Sequence, residues 1–192
     1  MEREILLSGI GGQGVQLAAK TLATAAMCAG RRVLMFGTYG GVMRGGDTDA
    51  TVVIGETRLV TPPVIDHAWA AIAMHPEGWP RLSRMLRPGG LVLINTSVFE
   101  EAVHYDGVIV PLAAAGMAAE ADMEQAGSMV ALGAFAAATG IVGLEPLLAV
   151  CEEVLPPYRH QFADTNRRAL ALGFAAVSPG ACPAWPALGA AA

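Results

Sequence analysis

With 192 residues, 54% of them hydrophobic and 15% charged, and a formal net charge of −5, the chain has room for one well-packed domain. Its surface is short of charge, since soluble domains carry charged side chains at about 25%. The acidic balance excludes a nucleic-acid partner, because a phosphate backbone is held by a dense basic face. No run approaches the roughly 18 consecutive apolar residues of a membrane span, and Met1-Glu2-Arg3-Glu4 leads directly into a strand-like run instead of a signal peptide. The expected setting is the cytoplasm, with apolar surface buried against other subunits.

In chain order, Glu4-Ile5-Leu6-Leu7-Ser8 reads as a short buried strand ending in Gly9-Ile10-Gly11-Gly12-Gln13-Gly14. From Val15 the pattern turns helical, with Ala18, Ala19, Leu22, Ala25, Ala26 and Ala29 on one small-residue face and Gly30 at the expected C-terminal cap. Val33-Leu34-Met35-Phe36 is expected as the next parallel strand, completing a Rossmann-like β-loop-α-β opening. Thr51–Ile54 with Leu59-Val60 suggests a hairpin turning near Gly55-Glu56. Trp69–Met74, Leu91–Ile94 and Val108–Val110 are further strands, with a helix over Glu77–Leu86 stopped by Pro88-Gly89-Gly90. Helices are expected near Ala114–Glu124, Ser128–Thr139, Glu145–Leu155 and Gln161–Ala175. The fold class is therefore α/β: a Rossmann-like three-layer domain over residues 1–177 with a mainly parallel sheet and a helical C-terminal part. The Pro/Ala-rich tail, 178–192, is expected to be flexible or laid along a partner.

Two loops carry the chemistry. Gly9, Gly11 and Gly14 satisfy G-x-G-x-x-G between a strand and a helix, where glycines let backbone N–H groups and the helix N-terminus approach a phosphate. A NAD site also needs an acid near the end of the second strand, yet no Asp or Glu occurs from Ile5 to Gly46, while Lys20, Arg31, Arg32 and Arg44 all do. The imbalance favours an anion: phosphates of coenzyme A, of thiamine diphosphate or of a NADP-like nucleotide. Alternatively, the glycines serve only close packing. The second loop is Tyr39-Gly40-Gly41-Val42-Met43-Arg44-Gly45-Gly46. It follows the second strand, so it belongs at the same sheet edge. There Arg44 either clamps an anion or pairs with Asp47 or Asp49. Gln13 is included as a binding residue because its amide could complete the first loop.

Other machinery is missing. Cys28, Cys151 and Cys182 are far apart, and His67, His75, His104 and His160 never approach a cysteine at ligand spacing, so neither an iron–sulfur cluster nor a structural zinc is expected on this chain. No acid–base pair or activated nucleophile stands out. His75 is the least unsuitable catalytic candidate, and the following Pro76-Glu77 reads as a plain helix start. No catalytic or metal-binding residue is assigned.

The two glycine motifs together, Gly9-x-Gly-Gly-Gln-Gly-Val15 and Tyr39-Gly40 with Arg44-Gly45-Gly46, make the chain similar to the gamma subunit or domain of the 2-oxoacid:ferredoxin oxidoreductases, whose pyruvate, ketoisovalerate, indolepyruvate and phenylglyoxylate types share it. The resemblance spans about residues 4–175, with Leu132-Gly133-Ala134, Asn166, Ala169 and Leu172-Gly173 fitting its ending. The sequence departs from the family at Gly41-Val42, Trp69 and Ser128. The resemblance implies a complex that oxidatively decarboxylates a 2-oxoacid to an acyl-coenzyme A. Thiamine diphosphate, Mg and iron–sulfur clusters would sit on alpha/beta-type and ferredoxin-like partner subunits. This chain would supply packing and, through Gly9, Gly11, Gly12, Gln13, Gly14, Tyr39, Arg44, Gly45 and Gly46, contacts to coenzyme A at an interface. A free-standing NADP-like nucleotide module and a purely structural subunit are the alternatives.

Overall fold

The computed structural model describes residues 1–39, 47–62 and 64–186, with the backbone alone at 38, 39 and 47. Six strands, β1 (Glu2–Ile10), β2 (Arg32–Tyr39), β3 (Asp47–Gly55), β4 (Ala68–Ala73), β5 (Leu86–Asn95) and β6 (Val108–Leu112), form one sheet in the order β2-β3-β1-β4-β5-β6. β1, β4, β5 and β6 are parallel neighbours, whereas β3 runs antiparallel to both β1 and β2. β2 thus keeps the parallel direction expected of it, but β3 is wedged between it and β1.

The hairpin expected between Thr51–Ile54 and Leu59-Val60 does not form. Both edges of β3 are already taken by β1 and β2. The N–H groups of Val60 and Thr61 instead donate to the Glu2 carboxylate at 2.7 and 3.0 Å. Apolar alternation identified the strand but could not identify its partner.

Both faces of the sheet are covered, so the central strands are apolar at successive positions. Ile5, Leu7, Val52, Ile54, Ile72, Leu91 and Leu93 face the larger core, beneath α1 (Val15–Cys28), α4 (Gly127–Thr139) and their neighbours. Leu6, Val53, Ala71, Val92 and Ile94 face a smaller core capped by Leu82 of α2 (Trp79–Met85) and by Phe99, Val103 and Tyr105. The helix expected over Glu77–Leu86 is shorter than its signals suggest, a 3-10 turn at Pro76–Gly78 followed by α2. Pro88-Gly89-Gly90 lies within β5, where the register with β4 shifts. Gly89 has φ 77°, and a Cβ on Gly90 would strike the Trp69 carbonyl.

The remaining helices are α3 (Ala114–Glu120), α5 (Leu144–Ala149) and α6 (Ala163–Ala175). α4 is buried along its whole length, so it carries no amphipathic stripe. It can touch α6 backbone to backbone because Gly133 lies against the Leu170 carbonyl and Gly173 against the Val130 carbonyl. Its last carbonyls are satisfied by the segment after α6. The N–H groups of Gly180, Cys182 and Ala184 donate to Ala137, Ala138 and Thr139 at 3.0, 3.0 and 2.7 Å. Trp185 donates to the Ile141 carbonyl at 3.1 Å and lies under the Arg31 guanidinium at 4.1 Å. Through residue 186, the tail expected to be flexible or partner-bound is laid on this chain's own helix.

Candidate functional site

The chain path diverges at the carboxyl edge of the sheet. From β1 it leaves through α1 toward β2 on one side, while β4, β5 and β6 extend on the other. Ligands of open α/β sheets bind at such a switch in strand order. The first glycine loop occupies it. Gly9 is the penultimate residue of β1, where a Cβ would come within 2.6 Å of Gln13 Oε1 and 2.8 Å of Val15 Cγ2. Gly12 and Gly14 have φ 101° and 78°, conformations that disfavour any residue with a Cβ. Gly11 and Gly12 are exposed, so the loop opens outward.

Gly14 is the N-cap of α1, with no side-chain cap and no acid in the first turn. The first intrahelical bond runs from Ala18 N–H to the Gly14 carbonyl at 3.0 Å. The preceding N–H groups of the first turn lack intrahelical acceptors and form the positive end of a 14-residue helix.

Gln13, expected to complete an anion-binding loop with its amide, uses both ends of that amide on the protein itself. Oε1 accepts from Ile10 N–H at 3.0 Å, and Nε2 donates to the Met74 carbonyl at 3.4 Å. Asn95 Nδ2 donates to the same carbonyl at 3.1 Å, and its Oδ1 accepts from Ala115 N–H at 3.2 Å. Gln13 and Asn95 therefore tie the ends of β1, β4 and β5 together and fix the loop's outline. His75, just beyond, accepts from Glu77 N–H through Nδ1 at 3.3 Å and stands 4.0 Å from the Glu77 carboxylate, which is the work of a helix start.

Between the glycine loop, the turn at 122–126 and the start of α6 lies a cleft of about 450 Å³. Its lining includes Gly12, Gly14 and Asn166 together with the charged Arg159, Asp122 and Glu124. Asn166 is 6% exposed, and its Nδ2 is buried without a hydrogen-bond partner. A donor left unpaired costs about 1–3 kcal/mol, so it signals a missing acceptor. Asp122 has φ 56°, a conformation that β-carbon-bearing residues rarely adopt. Ser128 Oγ would lie 2.7 Å from a Cβ on Gly14, so the loop also lies closely against α4. An anion in the cleft would meet Arg159 and the N-terminus of α1 on one side and the carboxylates of Asp122 and Glu124 on the other. Asn166 marked only a family ending in the sequence, where it is a single amide among the buried residues of α6.

Tyr39 pairs through its backbone with Thr48, which in turn pairs with Gly9. The end of β2 thus lies level with the glycine loop, two strands or about 10 Å away. Arg44, Gly45 and Gly46, together with the Tyr39 side chain, fall outside the described residues. Asp49, one of the partners considered for Arg44, is paired with Arg81.

Among the described residues, no three His, Cys, Asp or Glu side chains converge on a point. The three cysteines are free, with Cys28 exposed and Cys151 buried. Burial pushes the Cys151 thiol up to about 11, which keeps it protonated. Among the described residues, no helix is long and apolar enough to cross a membrane.

A six-stranded sheet with helices on both faces and a glycine loop at its switch point defines a Rossmann-like α/β domain. The chain belongs to the pyruvate ferredoxin/flavodoxin oxidoreductase family, whose model matches residues 4–176. It is 32% identical to the ketoisovalerate oxidoreductase subunit VorA of Methanothermobacter marburgensis over 75% of this chain, but spans only 30% of that relative's length. It is 29% identical to the pyruvate/ketoisovalerate oxidoreductases common subunit gamma of Thermococcus kodakarensis, covering 86% of this chain and 92% of that one. The crystal structure of a keto/oxoacid ferredoxin oxidoreductase gamma subunit from Geobacter sulfurreducens superposes with a TM-score of 0.77 at 28% identity, covering 91% of this chain and 95% of that one.

Proposed function

We propose that this chain is the gamma-type, cluster-free subunit of a multisubunit 2-oxoacid:ferredoxin oxidoreductase, inactive alone. The assembled enzyme converts a 2-oxoacid to an acyl-coenzyme A. This reading rests on the near-complete match to relatives named gamma subunits. In it, thiamine diphosphate, Mg and the clusters reside on alpha/beta-type and ferredoxin-like partners in the cytoplasm.

The cleft beside Gly12 and Gly14 contacts coenzyme A at the subunit interface. Its phosphates meet the open N-terminus of α1 and Arg44, while Asn166 Nδ2 donates to a neutral carbonyl or ring nitrogen. The observation that carries this contact is the buried, unpaired Asn166 amide beside a helix N-terminus that no acid occupies.

Purification through a tag on this chain from its native host, with mass spectrometry and a visible spectrum, tests the assembly. Brown material containing a thiamine-binding subunit is expected. A colourless monomer that binds a dinucleotide unaided would instead establish a free-standing nucleotide module. Calorimetric titration of the complex with coenzyme A tests the site: Asn166→Leu and Arg44→Ala are each expected to weaken binding about tenfold, the scale of one charge-assisted or buried hydrogen bond. Unchanged affinity in both variants refutes the contact and leaves a structural role for the loop.

A further inference from the structure

Taking the chain as one subunit of a larger complex, we propose that the free edge of β2 docks an extended, acidic segment of a different subunit, which adds a strand to this sheet. The two free edges of the sheet are unlike. β6 has five residues and contains Pro111, which removes a main-chain donor, a common guard on exposed edges. β2 has eight residues, none of them proline or lysine, and it is paired on one side only, with β3. The main-chain groups along its other side are a template for an added strand.

The side chains of the edge define the chemistry of that segment. Val33 and Met35 pack against the larger core, so Leu34 and Phe36 project from the opposite face, where they are 37% and 45% exposed. Beside them, a groove of about 480 Å³ is lined by Arg32, Val33, Leu34, Arg58 and Leu59. Four other arginines have carboxylate partners within the chain: Arg31 with Glu56, Arg81 with Asp49, Arg87 with Glu4 and Arg167 with Asp164. Arg32 and Arg58 are exposed and, among the described residues, have no such partner. Two uncompensated guanidiniums thus flank apolar space on a chain whose net charge is −5, a local sign opposite to that of the whole.

An occupant that carries carboxylates beside a large apolar side chain neutralises both arginines and fills the groove, and arginine pairs with carboxylates bidentately. Because a strand places alternate side chains on one face, the segment needs an Asp or Glu two residues from its apolar anchor, whichever way it runs. A second copy of this chain does not meet that requirement. Its β2 adds another Arg32 and no carboxylate, since neither Asp nor Glu occurs from Ile5 to Gly46, and Asp49 on β3 is already held by Arg81.

Carboxylate-directed cross-linking of the native complex tests the assignment. In an Arg32→Lys, Arg58→Lys double variant, a carbodiimide is expected to join the introduced amines to Asp or Glu residues of one segment of a different subunit, as read by peptide mass spectrometry. In Arg32→Glu with Arg58→Glu, the same subunit is expected to be retained by the tagged chain at least about tenfold less, because like charges then face each other across the edge. The circular dichroism of the chain should be unchanged, since neither guanidinium holds a partner within it. Cross-links only to this chain's own carboxylates or to a second copy, no cross-link at either position, or full retention of every subunit by the charge-reversed variant overturns the proposal and leaves the gamma-subunit reading intact. A tagged wild-type chain that purifies as a colourless monomer overturns both.

Discussion

Placing a methyl group between α4 and α6 tests the packing that underlies the whole helical layer. Gly133→Ala directs a Cβ onto the Leu170 carbonyl, and Gly173→Ala directs one onto the Val130 carbonyl, in both cases backbone of the facing helix. In an open helix, glycine to alanine would stabilise by about 1 kcal/mol. Here the methyl has no space, and overpacking of a buried site costs about 1–3 kcal/mol, occasionally more. Because α4 is buried along its whole length and can retreat only into the core, the upper part of that range applies, and a net loss of about 2–3 kcal/mol is expected. For a domain of this size each kcal/mol moves Tm by about 2–4 °C, so each variant should melt roughly 4–12 °C lower by scanning calorimetry. Gly116→Ala in α3 supplies the control. Its Cβ would meet Ser97 Oγ at 3.4 Å and Ala113 Cβ at 3.8 Å, so it should melt at or slightly above the parent temperature. If Gly133→Ala and Gly173→Ala melt no lower than Gly116→Ala, the account of close helix contact is wrong.

Truncation after Val177 removes the N–H groups that satisfy the last carbonyls of α4 and the Trp185 contact with Arg31. It should lower Tm by several degrees relative to the full chain, as paired thermal scans would show. Cys28 is exposed and Cys151 buried, with the Cys151 thiol pushed up to about 11. At pH 8, iodoacetamide followed by peptide mass spectrometry should therefore find Cys28 alkylated within minutes and Cys151 only after unfolding. The raised Cys151 value also sets a sign. Its stabilising contribution is complete below the ordinary thiol value near 9 and is lost as pH climbs toward 11, so a Cys151→Ala variant should show a shallower loss of stability over that window in denaturant titrations. Gly14→Ala must force a residue with a Cβ into φ 78° and against Ser128. It should both destabilise the chain and weaken coenzyme A binding, whereas Asn166→Leu should weaken binding with little loss of stability, as melts and calorimetry on the same samples would resolve.

Local pattern alone determined a good deal of this protein. The strand before Gly9 and the small-residue face of α1 announced a strand–loop–helix opening, because periodicity and glycine placement are properties of neighbouring residues. The absence of any acid from Ile5 to Gly46 argued against a NAD site on residue identity, but only the pairing of β3 reveals that Asp47 and Asp49 lie opposite Ile10 and Ser8 at the end of β1. Pairing was not legible in the same way. Thr51–Ile54 is apolar whether its neighbour is Leu59-Val60 or β1 and β2, and only the tertiary structure placed it antiparallel between the latter two. Nor does composition reveal that a Pro/Ala-rich tail has donors at the spacing needed to satisfy the end of α4. Gln13 and Asn166 show the same division within the site. Each is a lone amide in the sequence, and the distances to Ile10, Met74 and any available acceptor decide that the first braces the loop while the Nδ2 of the second stays buried without a partner. Backbone geometry is written in short stretches of sequence, but the satisfaction of a buried polar group depends on atoms brought together from distant parts of the chain.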